Sequence, residues 1–335
     1  MRAIIVPEWL ESPSQLSIKE VPDLHPKDNQ VIVRVKAIGA NFFDILMVQG
    51  KYQIKPPRPF TPGSEFAGDV LSVGKDVSKV RPGDRVFGSC RWGAYAEQVC
   101  ATEDHIYKIP KKLSYDQAAG LFVTYPTSYA GLIHRANLKR GETLLVHAAA
   151  GGVGIPAIQI AKHLGATVIA TASSREKLDL AKANGADHTV NYREKDWADQ
   201  VLKLTKDRRG VDVVFDPVGL IGPSLRCIAW SGRLVVVGFA GGTIESLPLN
   251  RVLLKNISVI GLHWGEYEKH EPNTVDQVWS HLLRLLDQGH LNPLVYPTIY
   301  RGLDQAKEAL RALGSRETYG KVIVHPSTSS SDHHL

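Results

Sequence analysis

The chain has 335 residues, which suits two domains that are each large enough to bury a hydrophobic core. Hydrophobic residues make up 43% and charged residues 22% of the composition, values typical of a globular protein that exclude a disordered chain. The net charge of +6 includes no block of lysine and arginine, so we do not expect nucleic acid to be the main partner. No apolar stretch approaches the length of a bilayer span, so no membrane association is expected.

The cysteines and the two ends of the sequence contain no motif that indicates a disulfide framework, a metal site or secretion. Cys90, Cys100 and Cys227 are far apart and form neither a disulfide framework nor a CxxC metal motif, so a cytoplasmic location is expected. The chain enters a strand directly at residues 3–6, without a signal peptide. Residues 329–335 are polar and are predicted to be a disordered tail.

The first third of the chain predicts short antiparallel strands. In residues 31–37, small apolar side chains alternate with Ile32, Arg34 and Lys36, which is typical of a strand with one buried face. Glycine and proline then punctuate a series of short apolar segments up to about residue 97. Frequent turns between short strands predict a partly open β-barrel.

From about Thr124 the pattern changes to alternating strands and helices. Six strands are predicted, at residues 144–147, 168–172, 189–192, 211–216, 233–238 and 257–262. With helical segments between most of them, they predict an α/β fold with a doubly wound parallel sheet. The sixth strand is apolar and is expected at the sheet edge, where an open backbone favours pairing with a second copy. We therefore expect a homodimer or a homotetramer.

The segment between the first two of these strands carries the most specific motif. The apolar strand 144–146 leads into Ala149-x-Gly151-x-x-Gly154, which opens a helix with apolar residues at helical spacing. Gly151, Gly152, Val153 and Gly154 would cradle a pyrophosphate, because glycine allows close backbone approach and a helix N-terminus complements negative charge. A glycine triplet alone is weak evidence, but a strand before it and a helix after it make a dinucleotide site specific.

The pattern of the C-terminal part predicts that the chain returns to the first domain. A helix is predicted at 275–286, a strand and helix at 303–313, and a last strand at 321–324 that has no place in the six-stranded set. The predicted domains are therefore 1–123 with 267–328, carrying the catalytic function, and 124–266, binding the dinucleotide. Ligands are expected in the cleft between the two domains.

Taken together, these segments resemble the medium-chain dehydrogenase/reductase superfamily over residues 1–325. Within it the chain is similar to the zinc-free quinone oxidoreductases of the zeta-crystallin type. The resemblance implies a GroES-like, partly open β-barrel as the catalytic domain, with an inserted Rossmann sheet. Its matching segments are residues 39–44, 50–52, 62–68, 82–86, 147–154, 191–193 and 215–219.

The positions of the superfamily's zinc ligands indicate that no metal binds. Asn41 stands where zinc enzymes carry a catalytic cysteine, and Ser64 stands where they carry a histidine. The structural lobe with four cysteines is missing. Asparagine and serine do not supply the thiolate and imidazole ligands that zinc requires.

The choice of cofactor is predicted from the end of the second Rossmann strand. An NAD-dependent enzyme places a carboxylate there to bind the ribose 2′-hydroxyl, whereas residues 171–177 offer hydroxyls and cations. Ser173, Ser174, Lys177 and Tyr192 match positions that hold the 2′-phosphate of NADPH in the family. Lys177 could instead be a solvated helix residue, and Ser174 a helix N-cap. The resemblance nevertheless favours NADPH as the cofactor.

The resemblance also implies further cofactor and substrate residues. Six positions are expected to contact the nicotinamide or adenosine parts of the cofactor: Asn41, Thr127, Gly219, Phe239, Ala240 and Arg316. Arg316 could equally have only a surface role. Tyr52 is the candidate catalytic residue, since its hydroxyl could hydrogen-bond a carbonyl oxygen that gains charge. Trp92 and Trp264 are candidate substrate contacts because flat aromatic side chains suit a flat quinone, although each could simply be a packing residue.

These residues predict a zinc-independent NADPH:quinone oxidoreductase that acts on a small molecule. NADPH would carry the hydride, and the protein would orient the acceptor and exclude water. An NADPH-dependent reductase of alkenal or enoyl double bonds is the nearest alternative, since Tyr52 could serve either reaction. A structural or RNA-associated cofactor-binding protein is the third, because fold alone does not decide function.

Overall fold

The computed structural model describes residues 1–328, which divide into two units. One unit comprises Met1–Val123 together with the chain from Pro293 onward, and the other comprises Thr124–Asn292. The second unit is therefore inserted into the first along the sequence. The predicted tail at 329–335 lies outside the described residues.

The N-terminal part of the first unit consists mainly of short strands separated by glycine- and proline-containing turns. Its strands and helices are β1 (Arg2–Ile5), β2 (Ser17–Glu20), β3 (Gln30–Gly39), α1 (Phe42–Val48), β4 (Glu65–Val73), β5 (Arg85–Ser89), β6 (Gln98–Thr102), β7 (Ile106–Lys108) and α2 (Tyr115–Ala118).

The second unit alternates strands and helices as the sequence predicts. Its elements are α3 (Thr124–Tyr129), β8 (Thr143–Val146), α4 (Gly154–Leu164), β9 (Thr167–Ala172), α5 (Arg175–Ala183), β10 (His188–Asn191), α6 (Trp197–Lys203), β11 (Val211–Asp216), α7 (Ile221–Ser224), β12 (Ile228–Val236), α8 (Leu249–Leu254), β13 (Ser258–Gly261), α9 (Tyr267–His270) and α10 (Pro272–Asp287).

The chain then returns to the first unit and completes its main sheet. The last elements are β14 (Tyr300–Arg301), α11 (Ala306–Gly314) and β15 (Ile323–His325). Among the described residues this sheet has seven strands, in the order β14-β15-β3-β4-β5-β7 with β6 on β3. Strand β15 pairs antiparallel with β3, as expected for a final strand that returns to the first domain. Ile32, predicted on an open face, is only 1% exposed, so the sheet is covered on both sides there.

The predicted doubly wound sheet is confirmed in the second unit. Its six strands follow the order β10-β9-β8-β11-β12-β13, and every neighbouring pair is parallel. Strand β13 lies at one edge, as the sequence predicts. The strand order reverses between β8 and β11, and at such a switch point the loops after the strands leave a crevice for a ligand.

Helix α10 belongs to the second unit, which differs from the predicted boundary at 266. It packs against α3 and buries Val278, Trp279 and Leu282. The chain stays attached to the second unit as far as Asn292, whose N–H donates to Gln159 Oε1 at 3.0 Å while its carbonyl accepts from Gln159 Nε2 at 2.9 Å. An amphipathic pattern shows that one face of a helix is buried, but not against which core it packs.

None of the helices formed by residues 1–328 is both long and apolar enough to cross a membrane.

Candidate functional site

The glycine-rich turn lies between β8 and α4, where the motif predicts it. A Cβ atom added to Gly154 would lie 2.5 Å from Ala148 O and 2.6 Å from Ala149 O, so only glycine fits this close backbone approach. The Ser128 Oγ on α3 lies 2.7 Å from Val153 O and 3.1 Å from Thr124 O, and its single proton donates to the nearer carbonyl, which ties the turn to α3. The turn is therefore held in one conformation by its own backbone and by a neighbouring helix.

This turn fits a bound phosphate. Residues 151–153 are partly exposed, whereas Gly154 and the apolar residues after it are buried. Helix α4 is 11 residues long, and its first amides, those of Gly154 and Ile155, both donate to Gly151 O at 3.1 Å. The positive end of the helix dipole faces the turn, which is where a dinucleotide's pyrophosphate would be held.

The end of β9 carries hydroxyls and cations and no carboxylate. Ser174 is the N-cap of α5, and its Oγ accepts a hydrogen bond from Lys177 N at 3.4 Å. Partial burial lowers the pKa of Lys177, the carboxylate of Glu176 on the same helix partly opposes this, and the positive charge of Arg193 lowers the pKa further. Tyr192 follows the neighbouring strand and donates its amide to Ala172 O at 3.2 Å. Ser173, Ser174, Lys177 and Tyr192 therefore meet at one corner of the sheet.

The loops after β11 and β12 contact each other. Asp216, at the end of β11, accepts hydrogen bonds from the amides of residues 218–220 at 2.6–2.9 Å and so fixes the loop. Gly219 has a φ of +100°, and a Cβ there would lie 3.5 Å from a ring carbon of Phe239. Ala240 N donates to Pro217 O at 3.0 Å. Phe239, which is 36% exposed, follows β12 and therefore lies at the same carboxyl-terminal edge of the parallel sheet as the glycine turn after β8.

In the first unit, Asn41 lies in a buried polar cluster that the sequence does not predict. Its Nδ2 donates to Glu65 Oε2 at 2.8 Å and to Gly39 O at 3.2 Å. Its Oδ1 accepts from Lys321 Nζ at 2.7 Å, and Lys321 also forms an ion pair with Glu65. We call Asn41, Glu65 and Lys321 the buried triad. Each residue of the triad is at most 7% exposed.

Asp44 lies next to the triad in α1. The carboxylate accepts from Asn41 N at 2.9 Å through Oδ2, while its Oδ1 has no hydrogen-bond partner among residues 1–328. Complete burial raises the pKa of Asp44 to about 7, and hydrogen bonding from Asn41 and the charge of Lys321 only partly oppose the rise. The first unit therefore holds a carboxyl group whose pKa lies near neutral pH.

Tyr52 and Trp92 belong to one apolar cluster in the first unit. Both pack against the buried side chains of Val6, Met47, Val48 and Phe60. The Tyr52 ring stacks on Phe43 with centroids 5.4 Å apart. Burial raises the pKa of Tyr52, and the carboxylate of Asp44 raises it further, so the phenol keeps its proton and can donate it in a hydrogen bond. This cluster offers flat aromatic surface beside one hydroxyl donor.

The remaining predicted residues lie elsewhere. Thr127 is partly exposed on α3, beside the serine that holds the glycine turn. Trp264 follows β13 and packs against Tyr267, with ring centroids 5.0 Å apart. Arg316 is exposed after α11 with a φ of +61°. Contacts of these three residues with a cofactor or substrate stay predictions.

Two side chains occupy the positions of the superfamily's zinc ligands. Asn41 is engaged in the buried triad, and Ser64, which is 7% exposed, donates to Arg91 O at 3.2 Å. Residues 1–328 contain no cluster of three or more histidine, cysteine or acidic side chains that could bind a metal. Burial raises the pKa of the nearby Cys90 thiol, which disfavours the thiolate that zinc needs.

The residues of these sites that were not predicted from the sequence include Ser128, Arg193, Glu65 and Lys321. Arg193 could have been found, because it follows Tyr192 directly at the end of a strand. The triad could not, because Lys321 and Asn41 are 280 positions apart. Only the pairing of β15 with β3 brings them together.

Comparisons with known proteins agree with these features. Residues 27–111 match the alcohol dehydrogenase GroES-like domain family, and residues 152–284 match the zinc-binding dehydrogenase family. The chain is 42% identical over 312 residues to mouse quinone oxidoreductase-like protein 2, covering 92% of this chain and 88% of the relative. It is 36% identical over 337 residues to human quinone oxidoreductase, covering 97% of each.

Solved structures show the same fold. The Escherichia coli quinone oxidoreductase, solved in complex with NADPH, superimposes with a TM-score of 0.88 at 31% identity and covers 97% of this chain and 100% of its own. The CurK enoyl reductase superimposes with a TM-score of 0.87 at 29% identity, covering 97% and 99%. A GroES-like unit interrupted by a Rossmann unit defines the medium-chain dehydrogenase/reductase superfamily of oxidoreductases. The chain belongs to the quinone oxidoreductase family within it.

Proposed function

We propose that this protein uses NADPH to reduce quinones by hydride transfer and that it needs no zinc ion. The observation that carries the cofactor assignment is the corner at the end of β9. There the strand end itself carries no carboxylate, Ser174 caps α5, and Lys177 lies within electrostatic range of Arg193 as well as of Glu176 on α5. A ribose 2′-phosphate would be attracted by these cations, and NADH would lack the group that they bind.

The glycine turn and the loops after β11 and β12 support the rest of the cofactor site. NADPH, when bound, supplies the hydride. The turn at residues 151–154 would hold its pyrophosphate, while Gly219, Phe239 and Ala240 would border its ribose and base. We assign Asn41, Thr127 and Arg316 to the same cofactor on the family resemblance.

Tyr52 and the aromatic side chains around it support a quinone as acceptor. A quinone is flat and apolar apart from two carbonyl oxygens, and the cluster of Tyr52, Trp92 and Phe43 offers flat apolar surface with a hydroxyl. The Tyr52 hydroxyl would donate a hydrogen bond to the carbonyl oxygen that gains negative charge. Trp264 is proposed as a further substrate contact. A hydroquinone anion is a stable product, so no metal ion is needed to stabilise it.

Reduction of an activated carbon–carbon double bond is the second candidate. The likeness to an enoyl reductase favours it, and a hydroxyl donor such as Tyr52 would stabilise an enolate oxygen equally well. A cofactor-binding protein with a structural or RNA-associated role is the third. The absence of a lysine- and arginine-rich block argues against RNA.

One experiment separates these candidates. Oxidation of NADPH by the purified protein would be followed with ortho-quinones, para-quinones, alkenals and enoyl thioesters at equal concentrations. We expect the highest kcat/KM with quinones, and Tyr52→Phe should lower it more than Phe43→Leu does. Higher kcat/KM with alkenals or thioesters would assign the second candidate, and no turnover with any acceptor would leave the third.

A further inference from the structure

Lys321 is a buried cation that no part of the proposed reaction uses directly. Its side chain is 7% exposed and its ion-pair partner Glu65 is fully buried. The ammonium reaches both Glu65 Oε2, at 2.5 Å, and Asn41 Oδ1, at 2.7 Å. Burying a charge is unfavourable unless it is paired, so the ammonium group of Lys321 is held inside the protein by Glu65 and Asn41.

Neighbouring glycines leave room for the lysine side chain. A Cβ on Gly120 would lie 2.6 Å from Lys321 Cγ, and a Cβ on Gly39 would lie 2.9 Å from Lys321 Cε. The lysine backbone is also fixed, because its N–H donates to Leu294 O at 2.9 Å and its carbonyl accepts from Tyr296 N at 2.8 Å. The ammonium group is therefore directed at Asn41 along a channel that these glycines keep open.

The buried triad determines which way the Asn41 carboxamide points. An ammonium group can only donate and a carboxylate can only accept, so Oδ1 must face Lys321 and Nδ2 must face Glu65. Both N–H groups of the carboxamide are used, since the second donates to Gly39 O. Glu65 is fixed in turn, because its Oε1 accepts from Val123 N at 2.7 Å. Toward any ligand, the Asn41 side chain can therefore offer only its acceptor oxygen, Oδ1.

We propose that Lys321 is a positioning residue that fixes Asn41 as a hydrogen-bond acceptor for a donor group of the nicotinamide half of NADPH, a ribose hydroxyl or the carboxamide N–H. This inference rests on the proposed function, in which Asn41 contacts that half of the cofactor. The pairing of Lys321 with Glu65 also means that the carboxylate is neutralised by the chain's own cation.

The test compares binding of NADPH with binding of adenosine 2′,5′-bisphosphate, which has the 2′-phosphate and lacks the nicotinamide half. The variants are Lys321→Met and the double variant Lys321→Met with Glu65→Gln, in which no unpaired charge stays buried and the carboxamide is free to reverse. We expect the double variant to bind NADPH about tenfold more weakly, the cost of one lost hydrogen bond, and Lys321→Met alone, in which Glu65 still accepts from Nδ2, to lose less. Their affinity for the bisphosphate should stay within about twofold of the wild type.

Two further variants keep the test decisive if the methionine variants do not fold. Gly120→Ala displaces the lysine side chain without removing a charge, and it should weaken NADPH binding selectively as well. Lys36→Met removes another partly buried lysine of the first unit, one paired with Asp69 at 3.9 Å, and should leave both affinities unchanged.

The outcomes are distinguishable. Unchanged NADPH affinity in the folded double variant or in Gly120→Ala would overturn the positioning role, and so would an equal loss of both ligands. A wild-type protein that binds NADPH yet reduces no quinone would refute the proposed reaction while leaving this binding comparison valid. A wild-type protein that does not bind NADPH would overturn both proposals.

Discussion

In the proposed cofactor site, Lys177 is the residue on which we expect cofactor preference to depend most. A charge-assisted contact with the 2′-phosphate contributes roughly 1.5–3 kcal/mol. We therefore expect Lys177→Ala to raise the KM for NADPH about tenfold or more, while the KM for NADH barely changes. Tyr192→Phe should act in the same direction more weakly. Steady-state kinetics with both cofactors measures this.

Lys182→Ala is the matched control for Lys177→Ala. It removes a lysine from the last turn of the same helix, where the ammonium group is bonded to Asp187 O. Both KM values should be unchanged in this variant. An equal loss of NADPH and NADH in Lys177→Ala would show that the lysine does not bind the 2′-phosphate.

Asp44 makes folding stability depend on pH. Its pKa is raised from 3.8 to about 7 in the folded protein, so between these values the folded state binds more protons than the unfolded state. The contribution of Asp44 to the free energy of unfolding is therefore present below pH 4 and is lost as the pH rises to 7. The loss is at most about 4 kcal/mol, since one pKa unit corresponds to about 1.4 kcal/mol.

Urea denaturation of wild type and Asp44→Asn across this pH range isolates that contribution. The comparison with Asp44→Asn is needed because His147 changes the free energy of unfolding in the opposite direction. Burial lowers the pKa of His147 to about 4, so its contribution to stability increases as the pH rises above 4. We expect the stability of wild type relative to Asp44→Asn to fall between pH 4 and 7 and then to level off. Parallel pH profiles for the two proteins would contradict the assignment.

At the scale of elements, the turn between β8 and α4 is tightly constrained by its own backbone. A Cβ at Gly154 would overlap the carbonyl oxygens of Ala148 and Ala149, which are backbone atoms and move only with the turn. Gly154→Ala should therefore lower NADPH affinity by about tenfold or more and reduce the melting temperature by several degrees. Gly222→Ala is the control, since a Cβ there makes only an ordinary contact of 3.6 Å with Glu245. Equal NADPH affinity in both variants would show that the turn does not hold the cofactor.

Local patterns in the sequence were sufficient to predict the strands of the second unit. Apolar segments of four to six residues between helical patterns specify buried parallel strands, and all six were found within a few residues of their predicted ends. The glycine turn followed from the strand before it and the helix after it. Strand β12 starts earlier than predicted, at Ile228, because its first residues pair with Val211 before a register shift.

The return of the last strand to the first domain was predicted, but other long-range contacts could not be predicted in the same way. Helix α10 has a clear apolar face, but that face does not identify its core, and the helix packs on α3. The buried triad needs a lysine and an asparagine from opposite ends of the chain. The predicted roles of Tyr52, Trp92 and Asn41 came from the family resemblance, whereas their neighbours Phe43, Asp44 and Lys321 came from the structure.

At the scale of the whole molecule, the open edge at β13 favours self-association. Val259 on this strand is 41% exposed, and Trp230 and Leu253 are more than 70% exposed in the neighbouring elements β12 and α8. Exposed apolar side chains beside unpaired strand backbone are features of an edge that pairs with another chain. We expect a dimer at micromolar concentration by light scattering. Val259→Lys should shift it toward monomer, and Ile18→Lys on β2 should not.

A wild-type protein that is monomeric under these conditions would contradict pairing at β13. A dimer that survives Val259→Lys unchanged would place the contact on another surface.

The measurement that tests the central claim most directly is turnover of the metal-free protein with each cofactor. The protein would be dialysed against a strong chelator, shown by elemental analysis to contain no stoichiometric zinc, and assayed with a para-quinone and either NADPH or NADH. The account predicts full activity after dialysis and a kcat/KM for NADPH at least about tenfold above that for NADH. Activity that disappears with zinc and returns when zinc is added, or equal use of NADH, would contradict it.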